Sequence, residues 1–404
     1  MNEEIIVLVL GGGTNALGQI RAAVDAGYTC VNLVEDCLHK YSAKSNKCTG
    51  IIAPHPTSDK EKCLKFTIDY IKNLPSKPFL FTASDDWMNM IGENEDTFLE
   101  IAHIVQSNWS DTEKLYNKKY LYRLAEENGI PYPKTLELSS LRNLDKEIES
   151  ITFPCVMKPQ LTVDQNEVKH SKLKLYHRTQ TFGTKQEALS WAQTMLEEGL
   201  DFPVLLQEYI PGDATNLYTL TSYSDKEGNL IAGSIGYKLR QFPPEAGRIT
   251  SGVLHYDERL KETGERFLKT IGYHGVANTE FKYDKRDGKY KLMEINTRFG
   301  AWNYSALYSG LNLMKIAIDD YLGRKYDGPM FIKDKDEHIW YNFVQDFGGS
   351  VILCRKPQFK KHRMGIKNWW KSLGRNHIEG VFDAKDMKPF FYSCFYTVID
   401  MIKK

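Results

Sequence analysis

Residues 5–10 (IIVLVL) form an unbroken apolar run, the pattern of a short strand buried on both faces. Gly11, Gly12 and Gly13 end the run. Apolar residues then recur at helical spacing (Ala16, Leu17, Ile20, Ala23, Val24) until Gly27. A strand over Cys30–Val34, a helix near 59–73 and a strand over 78–84 (PFLFTAS) follow. This alternation predicts an open parallel α/β sheet for residues 1–112.

A helix over Asn117–Asn128, closed by Gly129, marks a change of grammar. Strands are expected over Cys155–Lys158, Val204–Tyr209, Leu217–Ser224, Leu230–Tyr237, Gly275–Tyr283 and Lys289–Asn296. Helices near 185–198, 257–271 and 312–321 lie between them, so residues 113–328 read as an α+β domain. Residues 329–404 contain three tryptophans and a charge bias, and read as a separate C-terminal extension.

At 42% hydrophobic and 26% charged, the 404-residue chain is neither disordered nor fibrous. Its 53 Lys+Arg against 52 Asp+Glu leave a formal charge of +1, which excludes a global field for nucleic acid. The seven cysteines include no C-x-x-C pair, so reduced thiols are expected. The start, MNEEIIVLVLGGG, carries two acids where a secretory leader needs basic residues. No run approaches the roughly 18 apolar residues of a spanning helix. A cytoplasmic protein is the expectation.

The turn G11-x-G13-x-x-A16, with Glu35 and Asp36 about 20 residues on, fits a dinucleotide fingerprint. The same glycines serve a plain tight turn, or an anion or substrate contact. The stretch EFKYDKRDGKYKLMEINTR (280–298) reads as a hairpin with a three-residue loop, Arg286-Asp287-Gly288. That register sets Glu280 opposite Glu294, with Asn296 on the same face and Phe281, Met293 and Ile295 on the other. Two opposed carboxylates repel unless a cation lies between them, and Mg²⁺ suits an all-oxygen set. A solvated hairpin face is the alternative. Lys158, ending the apolar strand FPCVMKP, either snorkels or meets a phosphate. Lys118 stands in the first turn of its helix, against the dipole unless an anion binds there. The strand edge VLLQEYIPGD (204–213) offers a carbonyl at Glu208 and an N–H at Ile210.

In this order the pieces resemble the ATP-grasp superfamily over about residues 1–328. NKKYLYRLAEENGIPYPKT looks like the helix that opens that fold, FPCVMKP its second lysine strand, LLQEYIPGD its adenine-reading hinge, YKLRQFPPEAG a phosphate or substrate loop, and TEF…MEINTRFG its metal hairpin. The likeness is greatest to carboxylate–amine ligases of the D-aspartate ligase type and to relatives tied to surface polysaccharides. Trp340, Asp346, NWWKSL and DAKDMKP fit that group. The resemblance implies a pre-ATP-grasp α/β domain, a two-subdomain ATP-grasp fold, and ATP with Mg²⁺ (or Mn²⁺) as cofactors. It implies that Lys118 and Lys158 hold phosphates, that Gln207, Glu208 and Ile210 read adenine, and that Asp213 reads the ribose. Lys238 or Arg240 would meet the transferring phosphoryl group, Glu280, Glu294 and Asn296 would bind the metal, and Arg298 would bind the substrate carboxylate or phosphoryl. Asn117 replaces the aspartate common before the first lysine. The long basic segment LTVDQNEVKHSKLKLYHRTQTFG stands where a glycine-rich flap is usual.

The implied activity joins a carboxylate to an amine through an acyl phosphate, releasing ADP and phosphate. The substrates are small or carried on lipid or sugar, in envelope or surface-polysaccharide biosynthesis. A non-catalytic nucleotide-binding protein on this fold, and an NAD(P) oxidoreductase, are the rivals. Between Asp346 and Glu379 there is no acid, while eight Lys and Arg crowd in with Trp369 and Trp370. This stretch reads as a solvated face or as a peripheral contact with anionic lipid, rather than a nucleic-acid surface. A homodimer stays open.

Overall fold

The computed structural model describes residues 4–159, 180–244, 247–333 and 338–403. Nearly all of the basic segment that replaces a flap lies outside the described residues. So do Glu245 and Ala246. The chain divides into two compact units, one of Met1–Asn117, Asp213–Phe281 and Glu294–Lys404, the other of Lys118–Gly212 and Lys282–Met293.

The first unit opens with the expected α/β sheet. Strands β1 (Ile6–Leu10), β2 (Thr29–Glu35), β3 (Thr49–Ala53), β4 (Phe79–Thr82) and β5 (His103–Ile104) pair in the order β3-β2-β1-β4-β5, all parallel. All five residues of central β1 are buried, as its continuous apolar run requires. Edge strands β3 and β5 escape a sequence reading, because one is largely exposed and the other has two residues. Helix α1 (Gly13–Asp25) follows β1 and α2 (Asp85–Gly92) follows β4. Gly11 has φ +101° and Gly13 φ +82°, a region open to glycine at little cost.

The second unit holds α3 (Lys118–Glu127) and a four-stranded antiparallel sheet. Its strands β6 (Thr135–Leu138), β7 (Cys155–Pro159), β8 (Gln180–Phe182) and β9 (Val204–Glu208) run in the order β6-β9-β7-β8. Leu138, Cys155, Met157, Phe182 and Leu206 form its core with the helix Lys185–Glu197.

A seven-stranded sheet takes in much of the rest of the first unit, with residues 282–284 and 289–293 of two of its strands counted in the second. It comprises β10 (Leu217–Ser224), β11 (Leu230–Phe242), β12 (Arg248–Leu254), β13 (Gly275–Asp284), β14 (Lys289–Asn296), β15 (Ile339–Tyr341) and β16 (His377–Glu379), in the order β14-β13-β10-β11-β12-β15-β16. The expected boundary at 328/329 is therefore not a break in packing. β15 extends the sheet beyond β12, with Trp340 opposite Gly252, and β16 extends it again. Three-residue strands carry too little pattern to be read in advance.

The tail is clamped by a buried carboxylate. Asp346 accepts from Arg240 Nε at 2.9 Å and NH2 at 2.7 Å, from Thr250 Oγ1 at 2.7 Å and from Trp369 Nε1 at 2.7 Å. Trp369 lies on α4 (Ile366–Ser372). The segment DAKDMKP ties the tail to the N-terminal sheet region. Asp386 accepts from Ser45 Oγ at 2.5 Å and from the Asn46 N–H at 2.9 Å, and Asp383 pairs with Lys47 at 2.6 Å. Phe390 and Tyr396 of α5 (Lys388–Lys403) pack on Leu17, Tyr41 and Val381. Among the described residues, no helix is long and apolar enough to cross a membrane.

Removing one partner of a buried ion pair leaves the other charge uncompensated, at a cost of about 3–5 kcal/mol. Asp346→Ala should therefore lower Tm by several degrees and loosen the tail. Limited proteolysis should cut between residues 350 and 380 in the variant before wild type is touched. Equal melting and cleavage in the two proteins would show that the clamp is not needed.

Candidate active site

In an open parallel sheet, ligands bind beyond the carboxyl ends of the strands, where the strand order reverses. Here β1 runs on to β2 on one side and pairs with β4 on the other. The crevice therefore opens above Gly11–Gly13 and above the segment after β4. A cavity of about 710 Å³ lies there, within the first unit, lined by Gly12, Thr14, Asn15, Ser84 and Asp85. The far wall comes from the seven-stranded sheet and carries Lys238, Glu280, Glu294, Asn296 and Arg298. A sequence reading misses Asp85 and Asp86. The Ser-Asp-Asp after a buried strand, at the start of a helix, was the signal for them.

Glu280 and Glu294 come from neighbouring strands β13 and β14 and share this wall, with Phe281 and Ile295 buried in core and Met293 half-buried. The connecting loop differs from expectation. Lys285 joins the turn, which runs over 285–288, and Gly288 (φ +70°) donates to the Asp284 carbonyl at 2.8 Å. Asp284 accounts for the change. It is buried, and it binds Arg286 NH2 at 2.7 Å and Lys291 at 2.8 Å, which fixes the turn from inside.

Burial pushes the Glu280 carboxyl above its ordinary range. Lys238 Nζ, 3.3 Å from Glu280 Oε2, works against that shift, and the charge of Glu294 adds to it. Asn296 Nδ2 lies 3.5 Å from Glu294 Oε1. Two carboxylates and a carboxamide, all hard oxygen donors with one carboxyl under charge repulsion, fit a divalent ion such as Mg²⁺. Among the described residues no group of three or more His, Cys, Asp or Glu could hold a metal. A metal on this wall would therefore draw on Asn296 beside the two carboxylates.

Lys238 and Arg240 prove to differ. Lys238 lines the cavity beside Glu280. Arg240 is turned away to Asp346 and to Ser372 Oγ at 2.9 Å, and does not line the cavity. Both belong to β11, and alternation alone would put them on one face. The pairing of β11 with β12 shifts register at Lys238/Arg240 and again at Arg240/Gln241, and such irregularities re-aim side chains. Arg240 is thus engaged by Asp346 and Ser372, and Lys238 is the one of the two that lines the cavity. Arg298 spans Asp85 bidentately, Nε to Oδ1 at 2.8 Å and NH2 to Oδ2 at 2.9 Å, and reaches Asn296 Oδ1 at 3.3 Å. Burial works against its charge, but the Asp85 pair outweighs this and holds the guanidinium protonated.

The other expected residues, except Asp213, fall in the second unit. Lys158 Nζ donates to Gln207 Oε1 at 2.8 Å, and Gln207 Nε2 donates to Thr135 Oγ1 at 3.0 Å. The Gln207 carboxamide is thereby fixed as a support for Lys158. The Glu208 carboxylate meets Arg286 NH2 at 2.5 Å and Lys291 Nζ at 3.3 Å. Ile210 is buried, and Lys118 begins α3. Asp213, in the first unit, caps the turn Ala214–Asn216 by accepting from the Thr215 N–H at 2.9 Å and its hydroxyl at 2.6 Å.

A family described as ATP-grasp in the biosynthetic pathway with Ter operon matches residues 203–338. D-aspartate ligase of Enterococcus faecium (strain Aus0004) is 30% identical over 335 residues, which cover 79% of this chain and 77% of that protein. The large chain of carbamoyl phosphate synthase from Clostridium acetobutylicum is 21% identical over 332 residues, and the match spans only 29% of its length. Among solved structures, N5-carboxyaminoimidazole synthetase of Staphylococcus aureus complexed with ADP superposes with TM-score 0.60 at 15% identity, over 87% of this chain and 86% of that one. L-amino acid ligase of Bacillus licheniformis gives 0.55 at 14% identity, over 80% and 75%.

If the wall of β13 and β14 binds a divalent ion, millimolar Mg²⁺ should raise the Tm of wild type. Glu294→Gln should abolish that rise while folding normally, since the core neighbours of Glu294 point the other way. A variant whose Tm responds to Mg²⁺ as wild type does would place the ion elsewhere.

Proposed function

The chain belongs to the ATP-grasp superfamily, on its carboxylate–amine ligase branch, and from that premise we propose that it joins a carboxylate to an amine through an acyl phosphate. It is an ATP-dependent ligase that forms carbon–nitrogen bonds. The observation that supports the finer reading is the shared wall of Lys238, Glu280, Glu294, Asn296 and Arg298 in one cavity with the glycine turn.

In this reading an oxygen of the substrate carboxylate attacks the γ-phosphorus of ATP, and the bond to ADP breaks. The amine then attacks the acyl carbon and loses a proton, and phosphate departs. Glu280, Glu294 and Asn296 would hold Mg²⁺, which would supply charge neutralisation for the phosphates. Lys238 neutralises the transferring group, and Arg298, tethered by Asp85, steers the carboxylate or the phosphoryl oxygens. In the second unit Lys118 and Lys158 hold phosphates, with Lys158 positioned by Gln207. The Glu208 carbonyl and Ile210 N–H read adenine beside Gln207, and Asp213 reads the ribose. No nucleophile on the protein is required, so positioning and electrostatics carry the rate.

The substrates are a carboxylate and an amine, small or carried on lipid or sugar, and we place the reaction in envelope or surface-polysaccharide biosynthesis. The terminal helix supports a peripheral contact with anionic membrane. Phe391 and Phe395 are 61% and 58% exposed on α5, while Phe390 and Tyr396 anchor it. Trp370, 64% exposed, stands on α4 among the basic residues. Aromatic side chains beside Lys and Arg suit the interface of an anionic bilayer.

Incubation with ATP, Mg²⁺, a panel of carboxylic acids and hydroxylamine should yield a hydroxamate together with ADP and phosphate. AMP and pyrophosphate would indicate adenylate chemistry and overturn the acyl-phosphate route. Replacing Phe391 and Phe395 together by Ser should weaken sedimentation with phosphatidylglycerol vesicles at low salt and leave Tm unchanged. Cutting the chain before Phe390 would strip Leu17 and Tyr41 of their cover, so the double substitution is the cleaner probe. Equal sedimentation of variant and wild type would make the tail a structural element only.

A further inference from the structure

Amide formation from an acyl phosphate meets a proton problem that the groups assigned so far do not solve. An alkyl amine is mostly ammonium at neutral pH, and an ammonium has no lone pair with which to attack. On the cavity wall Lys238 is paired with Glu280, and Arg298 with Asp85. Arg248, the first residue of β12, is a guanidinium and takes no further proton. Tyr41 shares a hydrogen bond with Thr14 Oγ1 at 3.1 Å, and burial pushes its phenol up to about 12. Glu35 holds the Trp87 indole N–H at 2.7 Å and lies 3.5 Å from Cys37 Sγ. His39 is the one histidine among the described residues that line the cavity.

The backbone of His39 is locked to the glycine turn. Its carbonyl accepts from the Gly13 N–H at 2.9 Å, and its N–H donates to Cys37 Sγ at 3.3 Å. The imidazole rests over the first residue of α1, where a β-carbon at Gly13 would lie 3.6 Å from His39 Cβ and Nδ1. Neither ring nitrogen has a hydrogen bond among the described residues. The side chain keeps accessible surface because it opens into the cavity, yet the protein packed behind it is the first cause lowering its pKa. Arg248 lowers it further, and Glu35 opposes both. The positive end of the α1 dipole also disfavours an imidazolium. The remaining neighbours are neutral: the Tyr41 ring, 6.4 Å away, and the Cys37 thiol, which burial pushes up to about 12. A neutral imidazole with free nitrogens therefore faces the cavity from a fixed backbone.

We propose that His39 is the general base of the second half-reaction, taking a proton from the ammonium of the incoming amine and so freeing its lone pair to attack the acyl carbon. The proposal rests on the ligase reading above and deepens it. One proton passes from the ammonium to an imidazole nitrogen of His39. The new carbon–nitrogen bond forms, the bond from the acyl carbon to the phosphate oxygen breaks, and the second nitrogen proton leaves with phosphate. The imidazolium, steadied by Glu35, then gives its proton to solvent. A base of this kind works best with a pKa near the operating pH, which a histidine meets and the buried phenol and thiol beside it do not.

The test uses the full chain with ATP, Mg²⁺ and whichever acid of the carboxylate panel yields hydroxamate, and compares nucleophiles at neutral pH. Hydroxylamine arrives largely unprotonated and needs no base, whereas ammonium chloride, ethanolamine and L-lysine arrive as ammonium ions. His39→Gln should lower amide formation from these three about 100-fold, the lower end of general-base catalysis, and spare hydroxamate formation, KM for ATP and Tm. The residual amide rate of the variant should climb about tenfold per pH unit above neutrality, in step with the free amine, and that of wild type far less. In acid, wild-type amide formation should fall only below pH 6.5, where His39 gains its proton, because its pKa lies below that ordinary value. Equal loss of hydroxamate and amide would make His39 a structural residue, and wild-type amide formation by His39→Gln would put the base elsewhere. Either result overturns the proposal. So would a wild-type enzyme that makes hydroxamate but no amide from any of the three ammonium donors. Failure of wild type to give hydroxamate with any acid would overturn the ligase reading and the proposal with it.

Discussion

A carboxylate with no exposed surface, Asp346, governs how the C-terminal third of this protein is built. In a low-dielectric interior such a group is tolerable only when its charge is paired and its lone pairs are filled. Arg240, Thr250 and Trp369 do this from β11, β12 and α4. Two neighbouring strands and a helix more than 100 residues further on are therefore fixed by one side chain. The consequence reaches the cavity, because β12 carries Arg248 and its partner β15 carries Trp340. A tail that looks like an appendage in sequence is in fact part of the wall that lines the site.

The site runs on the opposite economy. Around Asp346 opposite charges are matched, whereas Glu280 and Glu294 repel each other, with Lys238 and Arg298 working against that repulsion. Repulsion of this kind costs stability, and proteins keep it where a cation or a reacting phosphate will relieve it. The Trp340 N–H likewise lacks a hydrogen-bond partner among the described residues, where a buried donor normally has one. A ligase of this class has little covalent work to do. What the fold supplies is a set of charges held apart in advance, ready for substrates that bring the complementary ones.

The two units hold different sets of polar groups. The small antiparallel sheet holds Lys158 rigid through Gln207 and Thr135, a chain of side-chain hydrogen bonds on adjacent strands. The larger unit combines the glycine turn, the acids after β4 and the carboxylate wall. Glycine at 11 and 13 allows the turn, and a β-carbon at Gly12 would lie 2.6 Å from Val34 Cγ2 and 2.7 Å from the His39 carbonyl. The backbone there thus approaches its neighbours as closely as it does because no side chain intervenes.

Periodicity alone determined the parallel sheet around β1, the hairpin of β13 and β14, and the helices at 185–197, 258–270 and 313–321, because each is long or strongly patterned enough to announce itself. The shared face of Glu280, Glu294 and Asn296 was legible for the same reason, since strand alternation is a local rule. Order of motifs carried the family resemblance, and no single motif would have done so. Only the tertiary structure decided that Arg240 serves Asp346 while Lys238 serves the cavity, because an irregularity in the β11–β12 pairing overrides simple alternation. It also decided that residues 339–341 and 377–379 extend the main sheet, since three-residue strands draw their stability from the neighbours they pair with and carry almost no pattern of their own. Asp85, Arg248 and Trp340 entered the site in the same way. Trp340 was marked in sequence only by resemblance and Asp85 only by its place after a buried strand, and each acquires its meaning from what lies across the cavity, a relation between distant residues that local pattern does not encode.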